Sequence, residues 1–186
     1  MKFSKTLALA AVLLLGGAGC SESEHPDTAD IAIAPTSTRA QATKMRDLCE
    51  PMLNFFAEEL NDTSVRINSP RDLDSTLGGS GYCHVDGKAS WRGFVRAYRA
   101  PSDTDPTGGR DGFVAFPGVE GVLVSDDPPG AIIEFATRVE DWNGNFQISL
   151  NDSESAIRDF DLTGDQQKAA ADFIVELVRA LQSRDA

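Results

Sequence analysis

Apolar residues recur at helical spacing near the start of the region that can fold. They follow i, i+3, i+4, i+7, i+8, i+11 and i+15, which predicts one apolar helix face: Met45, Leu48, Cys49, Met52, Leu53, Phe56 and Leu60. Pro51 interrupts the pattern. Proline is tolerated in a first turn and costly in a helix interior, so the main helix either begins near Glu50 or follows a kinked short turn.

A second helical pattern closes the chain. Thr163 is a good N-cap and Gln166 stands three residues later, which together form a capping box. The apolar stripe that follows consists of Ala170, Phe173, Ile174, Leu177, Val178 and Leu181. The pattern predicts a helix from about 164 to 183.

Between these helices the pattern is typical of strands. "GYCHV" and "KASWRGFVRAYR" flank Asp86-Gly87, which predicts a hairpin with a two-residue turn. "GVLVS" and "AIIEFATRVED" flank the breaker "DDPPG" (126–130), which predicts a further hairpin connection. Asn143-Gly144, followed by "NFQISL", predicts another tight turn. No internal repeat is visible.

The run after Ile132 alternates in polarity. Every second residue is largely apolar, and the residues between are mostly polar, as in an antiparallel sheet covered on one side. The first set is Ile133, Phe135, Thr137 and Val139, and the second is Glu134, Ala136, Arg138 and Glu140. The predicted fold class is α+β, with about five to seven antiparallel strands packed against an N-terminal and a C-terminal helix.

The first twenty residues have the pattern of an export signal. Lys2 and Lys5 precede a nine-residue apolar run, Leu7–Leu15, which is shorter than the roughly 20 residues a spanning helix needs. Small residues then lead into Cys20, which resembles the bacterial lipobox, although Gly17 occupies a position where that family usually has Leu, Val or Ile. The resemblance implies cleavage before Cys20 and acylation of it. Ordinary secretion is the alternative.

These patterns divide the chain into three parts. Residues 1–19 are the predicted lipoprotein signal peptide. Residues 20–40 are the predicted lipidated cysteine and flexible tether, because this polar, acidic and proline-containing stretch cannot form a core. Residues 41–186 are the predicted α+β domain, which has an ordinary length for one domain. The expected location is the extracytoplasmic face of the cell membrane.

Charge narrows the set of partners. The formal net charge is −12, and it becomes −14 once cleavage removes Lys2 and Lys5. Nucleic acids and anionic lipid surfaces attract clustered Lys and Arg, so no nucleic-acid partner is expected. The expected partners are the membrane, through the lipid anchor, and an unknown envelope protein or hydrophobic ligand.

Cys49 and Cys83 remain once Cys20 is assigned to attachment. In an exported protein such a pair is more often a disulfide than a metal site, and no second Cys or His lies at ligand spacing from Cys49. The predicted bond joins the first helix to the first hairpin. Two buried free thiols are the alternative.

Several of these features together carry a family resemblance. A lipobox, a polar tether, "LCEPMLNFF", a second cysteine in "GYCHV" near Trp91 and a capped final helix resemble small actinobacterial lipoproteins of uncharacterised families. Several of those proteins are similar to the PsbP-like α/β/α sandwich. The likeness is one of layout over about 140 residues, and it implies a binding or assembly role at the envelope, with no catalytic residues.

The search for catalytic and metal-binding motifs gives near misses. "LGGSGYCH" (77–84) has Tyr82 where a G-x-S-x-G elbow needs Gly, so a catalytic Ser80–His84 pair is not expected. "DTDPTGGRDGFV" (103–114) matches several calcium-loop positions, but Val114 stands where a bidentate Glu is needed. No catalytic residue, metal site or cofactor is predicted.

Two functions are carried forward. The leading hypothesis is a non-enzymatic binding or accessory module, anchored by lipid in the cell envelope. The alternative is a carrier for a lipid or other hydrophobic envelope molecule, held in an apolar cavity between the sheet and a helix. Its predicted wall residues are Phe55, Phe56, Trp91 and Phe135.

Overall fold

A computed structural model of the chain describes residues 43–87, 91–127, 132–150 and 162–185, all within one compact unit, 38–186. In the part of the chain described, no helix is both long and apolar enough to cross a membrane. The elements, in chain order, are α1 (Met45–Glu58), β1 (Arg66–Asn68), β2 (Ser80–Asp86), β3 (Trp91–Arg99), β4 (Val114–Ala115), β5 (Val122–Asp127), β6 (Ile132–Val139), β7 (Trp142–Leu150) and α2 (Gly164–Asp185).

The seven strands form one sheet in the order β1-β2-β3-β7-β6-β5-β4, and every neighbouring pair is antiparallel. The predicted α+β class, with a helix before the strands and a helix after them, is confirmed. The long strands β3 and β7 meet at the centre, in register from the Trp91–Leu150 pair to the Arg99–Trp142 pair.

Both helices pack on the same face of the sheet, called here the inner face. α1 lies mainly over β2 and β3, and α2 lies over β6 and β7. Glycines allow the close approach: a Cβ on Gly93 would come within 2.5–2.6 Å of the Phe56 ring, and one on Gly144 would meet Val178 and Ile174. The rings of Phe55, Phe146 and Phe173 fill the space between the helices and the sheet.

α1 begins at Met45 and Pro51 lies inside the helix, so, of the two predicted alternatives, a start near Glu50 is wrong. The first turn is stabilised by groups outside the helix. The N–H groups of Met45 and Arg46 donate to the carbonyls of Ser75 and Leu73, each at 2.9 Å. Tertiary hydrogen bonds therefore extend the helix before the proline, which local sequence preference does not foresee.

α2 confirms its prediction and extends it by about one half-turn to Asp185. The capping box is present: the Thr163 N–H donates to the Gln166 side chain at 3.0 Å, and the Gln166 N–H donates to the Thr163 hydroxyl at 3.3 Å. The predicted stripe is buried, except that Phe173 is half-buried.

The predicted turn positions are wrong in both of the Xaa-Gly hairpins. Asp86 pairs with Arg92 and the Gly87 N–H donates to the Trp91 carbonyl, so Asp86-Gly87 is not the two-residue turn; residues 88–90 lie outside the described residues. Asn143 and Gly144 lie inside β7. The β6–β7 turn is formed instead by residues 140 and 141, with Glu140 at φ 52°.

Other interactions explain the β6–β7 turn. The Glu140 carboxylate accepts a hydrogen bond of 2.6 Å from Gln182 of α2, and the Asp141 carbonyl accepts one of 2.8 Å from the Ala100 N–H. Gly144 is needed beneath α2 and not at a turn. Residues 128–130 of "DDPPG" lie outside the described residues, but β5 and β6 do form the expected antiparallel pair.

Cys49 of α1 and Cys83 of β2 lie at disulfide distance. Their Cα atoms are 5.6 Å apart, and both side chains are fully buried on the inner face. The pair brings a residue of the helix next to one of the sheet across a sequence separation of 34 residues.

Candidate functional site

The face of the sheet opposite the helices, called here the outer face, is partly covered by the segment between β3 and β4. This covering segment, residues 100–113, lies against β6 and β7. Asn145 of β7 donates 3.1 Å to the Pro106 carbonyl, and Arg138 of β6 donates to the carbonyls of Ala100 and Thr104 at 3.0 and 3.2 Å. The expectation that only one side of the sheet is covered is therefore wrong for β6 and β7.

Glu134 anchors the covering segment. Its side chain points to the outer face, yet the residue is only 6% exposed. Arg110 of the covering segment binds both carboxylate oxygens, with Nη1 2.6 Å from Oε2, and Gln147 donates to the same oxygen at 2.9 Å. These bonds neutralise a buried carboxylate, and the hydrogen bond to Glu134 raises the pKa of Arg110 above its ordinary value.

A second buried polar side chain, that of Asn143 in β7, lies next to the covering segment. Asn143 is fully buried; its side-chain oxygen accepts 2.9 Å from Arg138 and its nitrogen donates 3.2 Å to the Tyr98 hydroxyl. Each buried polar atom named here therefore has a partner, which makes this part of the outer face a rigid support.

Next to the covered region, β2 and β3 leave a set of aromatic side chains open to solvent. Tyr82 and His84 of β2 stand opposite Arg96 and Phe94 of β3. The Tyr82 ring lies 5.9 Å from that of Phe94, and the His84 ring 4.8 Å from it. Tyr82 is 42% exposed. We call these four residues the aromatic patch.

The aromatic patch lies between two concave pockets. The larger, of about 620 Å³, is lined by Pro70, Arg71, Ser80, Gly81, Tyr82, Phe94 and Arg96. The smaller, of about 380 Å³, lies against the covering segment and shares Phe94 and Arg96 with the first. We call the larger one the arginine pocket. Its volume falls in the range of small-molecule sites.

A third pocket, of about 370 Å³, lies between the exposed sides of the two helices. It contains an ion pair between Asp47 of α1 and Arg184 of α2. This contact connects the start of one helix with the end of the other, so the pocket is part of the helix packing.

The two motifs that resemble a catalytic pair and a calcium loop do not have the geometry of such sites. Ser80 and His84 both lie on the outer face of β2, four residues apart, which in a strand is about 13 Å and too far for a hydrogen bond. In the acidic loop, Asp105 accepts hydrogen bonds from the N–H and hydroxyl of Thr107 and from the Gly109 N–H. The bonds from Thr107 lower the pKa of Asp105 below its ordinary value.

The structure shows where possible metal ligands and the predicted cavity-wall residues lie. The described residues contain no group of three or more His, Cys, Asp or Glu side chains placed to hold a metal ion. Phe55, Phe56 and Phe135 are buried in the core, and Trp91 packs half-buried against it. These four residues line none of the three pockets described above. Cys20 lies outside the described residues.

Comparisons of the chain with protein-family models, with curated proteins and with solved structures gave no match. The arrangement of side chains is therefore the basis for a functional proposal.

The sequence did contain a signal for the aromatic patch. Apart from Trp91 at the start of β3, the inward residues of β2 and β3 are small or medium in size, namely Gly81, Cys83, Val85, Gly93, Val95 and Ala97. The rings of Tyr82, His84 and Phe94 alternate with these residues and so point outward. An alternation with the aromatic residues on the solvent side indicates a surface that can bind a ligand.

Proposed function

We propose that this protein is a lipid-anchored lipoprotein of the cell envelope, held outside the membrane by Cys20, and that it acts as a non-enzymatic binding module. The observation that carries the binding role is the aromatic patch, with its two adjoining pockets, on the helix-free face of the sheet. Aromatic side chains and arginine are enriched where proteins bind partners, and here they stand on two paired strands beside a hydrogen-bonded support.

The way in which the two faces of the sheet are covered supports this role. The inner face is occupied by the helices, and the β6–β7 part of the outer face by the covering segment. The open part lies over β2 and β3, which the pair Cys49–Cys83 connects to α1. A disulfide there, which we also propose, would keep the binding surface firm in an oxidising compartment.

A photocrosslinking amino acid placed at Tyr82 tests the binding role in the living envelope. We expect an adduct from position 82 and none from Arg179, which is exposed on α2 and serves as the control position. The adduct's mass distinguishes a protein from a small molecule. Equal labelling at both positions, or none at position 82, would contradict a binding role for the aromatic patch.

The anchor is tested by mass spectrometry of the mature chain from its exporting cell. We expect an N-terminus at Cys20 with acyl chains attached, because two chains are needed for stable anchoring. Cys20→Ala should leave the precursor uncut, and Ser21→Ala, next to it, should be processed normally. A mature chain that begins elsewhere and carries no lipid would disprove the anchor.

A separate experiment tests the alternative that the protein carries a hydrophobic molecule. Native mass spectrometry of the exported chain, purified without reductant, should give the mass of the lipidated chain with nothing further bound, two hydrogens below that of its reduced form, if Cys49 and Cys83 are bonded. A tightly held adduct of several hundred daltons, released only on denaturation, would favour the carrier and identify its cargo class.

A further inference from the structure

The arginine pocket has two positive charges that are not neutralised within the described part of the chain. Arg71 and Arg96 both line it, and neither forms an ion pair with a described carboxylate. No Asp or Glu is among the described residues that line the pocket. Asp74, Asp86 and Glu134 form ion pairs with other basic residues. In a chain with a formal net charge of −12 this is a local excess of positive charge.

Neutral groups orient both guanidinium ions. Arg71 donates through Nη2 to the carbonyls of Ser80 and Leu77, at 2.9 and 3.2 Å. Arg96 stacks on the Tyr98 ring, with its Cζ 4.6 Å from the ring centroid. Carbonyls and an aromatic ring hold a guanidinium in place without cancelling its charge. The pocket is therefore prepared for an anion before that anion arrives.

The rest of the pocket wall is suited to a flat apolar body. Tyr82 and Phe94 line it, with their rings tilted by 41° to each other, and Pro70 is a further apolar part of the wall. A planar ring can stack on such side chains while a group at its edge reaches an arginine.

We infer that the arginine pocket binds a small molecule in which a carboxylate or phosphate is attached to a planar ring. The anion is paired with Arg96, assisted by the field of Arg71, and the ring lies on Tyr82 and Phe94. This inference rests on the proposed binding function and names the class of ligand for it.

A matched pair of probes separates the two parts of this recognition. Naphthalene-2-carboxylate carries the ring and the anion, and naphthalene-2-methanol carries the same ring without charge. Binding to the full chain is followed by two-dimensional NMR shifts. For ligands of this size we expect a Kd of about 1 mM for the acid and binding about tenfold weaker for the alcohol. High salt should weaken only the acid.

Variants then test whether Arg96 causes the stronger binding of the acid. Arg96→Gln should raise the Kd of the acid about tenfold and leave that of the alcohol unchanged. Arg92→Gln is the matched control, because Arg92 lies on the same face of the same strand, outside the arginine pocket. Phe94→Leu should weaken both probes, since both depend on the ring contact.

The outcomes separate this inference from the binding role itself. Equal affinity for acid and alcohol, with shifts at the aromatic patch, would overturn the anion inference and leave the binding role standing. No saturable binding of the acid, or shifts only away from the arginine pocket, would also overturn it. The binding role is judged separately by the crosslink at position 82. The probe comparison and the salt test on the unaltered chain need no variant to fold.

Discussion

Asp47 shows how one carboxylate can connect the two helices. It accepts a hydrogen bond of 2.7 Å from the Lys44 N–H and forms an ion pair with Arg184, while its side chain is 18% exposed. Burial would raise the pKa of Asp47. The hydrogen bonds from Lys44 and Arg184, with the charges of Arg184 and Arg46, lower it below the ordinary value of 3.8.

A lowered pKa in the folded state makes stability depend on pH. The ionised form is favoured by folding, so this contribution is present above the unfolded pKa of about 3.9 and is lost as the pH falls through the lower folded value. We expect Asp47→Asn to cost about 1–2 kcal/mol in the free energy of unfolding at neutral pH.

Urea titrations at several pH values measure this effect. The difference between Asp47→Asn and the unaltered chain should shrink as the pH falls below about 4. Glu50→Gln, in an exposed pair with Arg46 at 3.9 Å, should change stability by about 0.5 kcal/mol or less. A cost at Asp47 that is the same at all pH values would show that charge is not responsible.

Gly144 gives a residue-scale test of the helix–sheet packing. A Cβ there would meet Val178 and would lie 3.1 Å from Ile174 Cδ1. Gly144→Ala should therefore destabilise the protein by about 1–3 kcal/mol, as overpacking does. Gly79 has a negative φ and open space around it, so Gly79→Ala should be neutral or slightly stabilising.

A double variant checks the cause of the Gly144 effect. If the clash with Val178 is responsible, Val178→Ala should cost less in the Gly144→Ala background than alone, because the cavity accepts the new methyl group. Additive costs in thermal or urea unfolding would contradict this explanation.

At the scale of elements, the ion pair between Arg110 and the buried Glu134 is one of the contacts that hold the covering segment on the sheet. Arg110 is half-exposed and Glu134 is buried, so removing the arginine leaves a buried carboxylate without its counter-ion. We expect Arg110→Ala to destabilise the fold by about 1–3 kcal/mol, less than for a fully buried pair. Amide hydrogen exchange in residues 100–113 should accelerate.

The double variant Arg110→Ala/Glu134→Gln separates the two consequences. It removes the unpaired charge, so global stability should recover in part, but the covering segment has still lost its anchor and its exchange should stay fast. Lys168→Gln, in an exposed pair on α2, is the control and should leave exchange in the covering segment unchanged. Unchanged exchange in Arg110→Ala would show that other contacts suffice.

The same scale shows what the sequence could and could not predict. Period-3.6 and period-2 patterns found both helices and the antiparallel sheet, because each depends on neighbours along the chain. Asn143-Gly144 predicts a turn that the fold does not form, because in sequence a glycine beneath a helix looks like a turn glycine. The alternation in β6 predicts that Glu134 faces solvent, because the covering segment reaches it only through tertiary folding. The aromatic patch likewise needs the register of β2 with β3.

At the scale of the whole molecule, the proposed disulfide between Cys49 and Cys83 would constrain the unfolded chain. Closing a 34-residue separation would reduce the entropy of the unfolded state, worth about 3–4 kcal/mol in the loop-closure model. Replacing both cysteines by serine should lower the free energy of unfolding by about that amount. Reductant should destabilise the unaltered chain similarly and leave the variant unaffected, as urea unfolding would show. An identical loss in both would contradict the bond.

The two edge strands of the sheet affect how readily copies of the protein associate with one another. In the part of the chain that the structure describes, the sheet ends in β1, with three residues, and β4, with two. Unpaired backbone groups on an edge strand recruit strands from other molecules, and short edges offer few of them. If the proposed anchor holds many copies on one bilayer, these short edges would make the copies resist joining edge to edge into aggregates, even though Val114 is 63% exposed on β4.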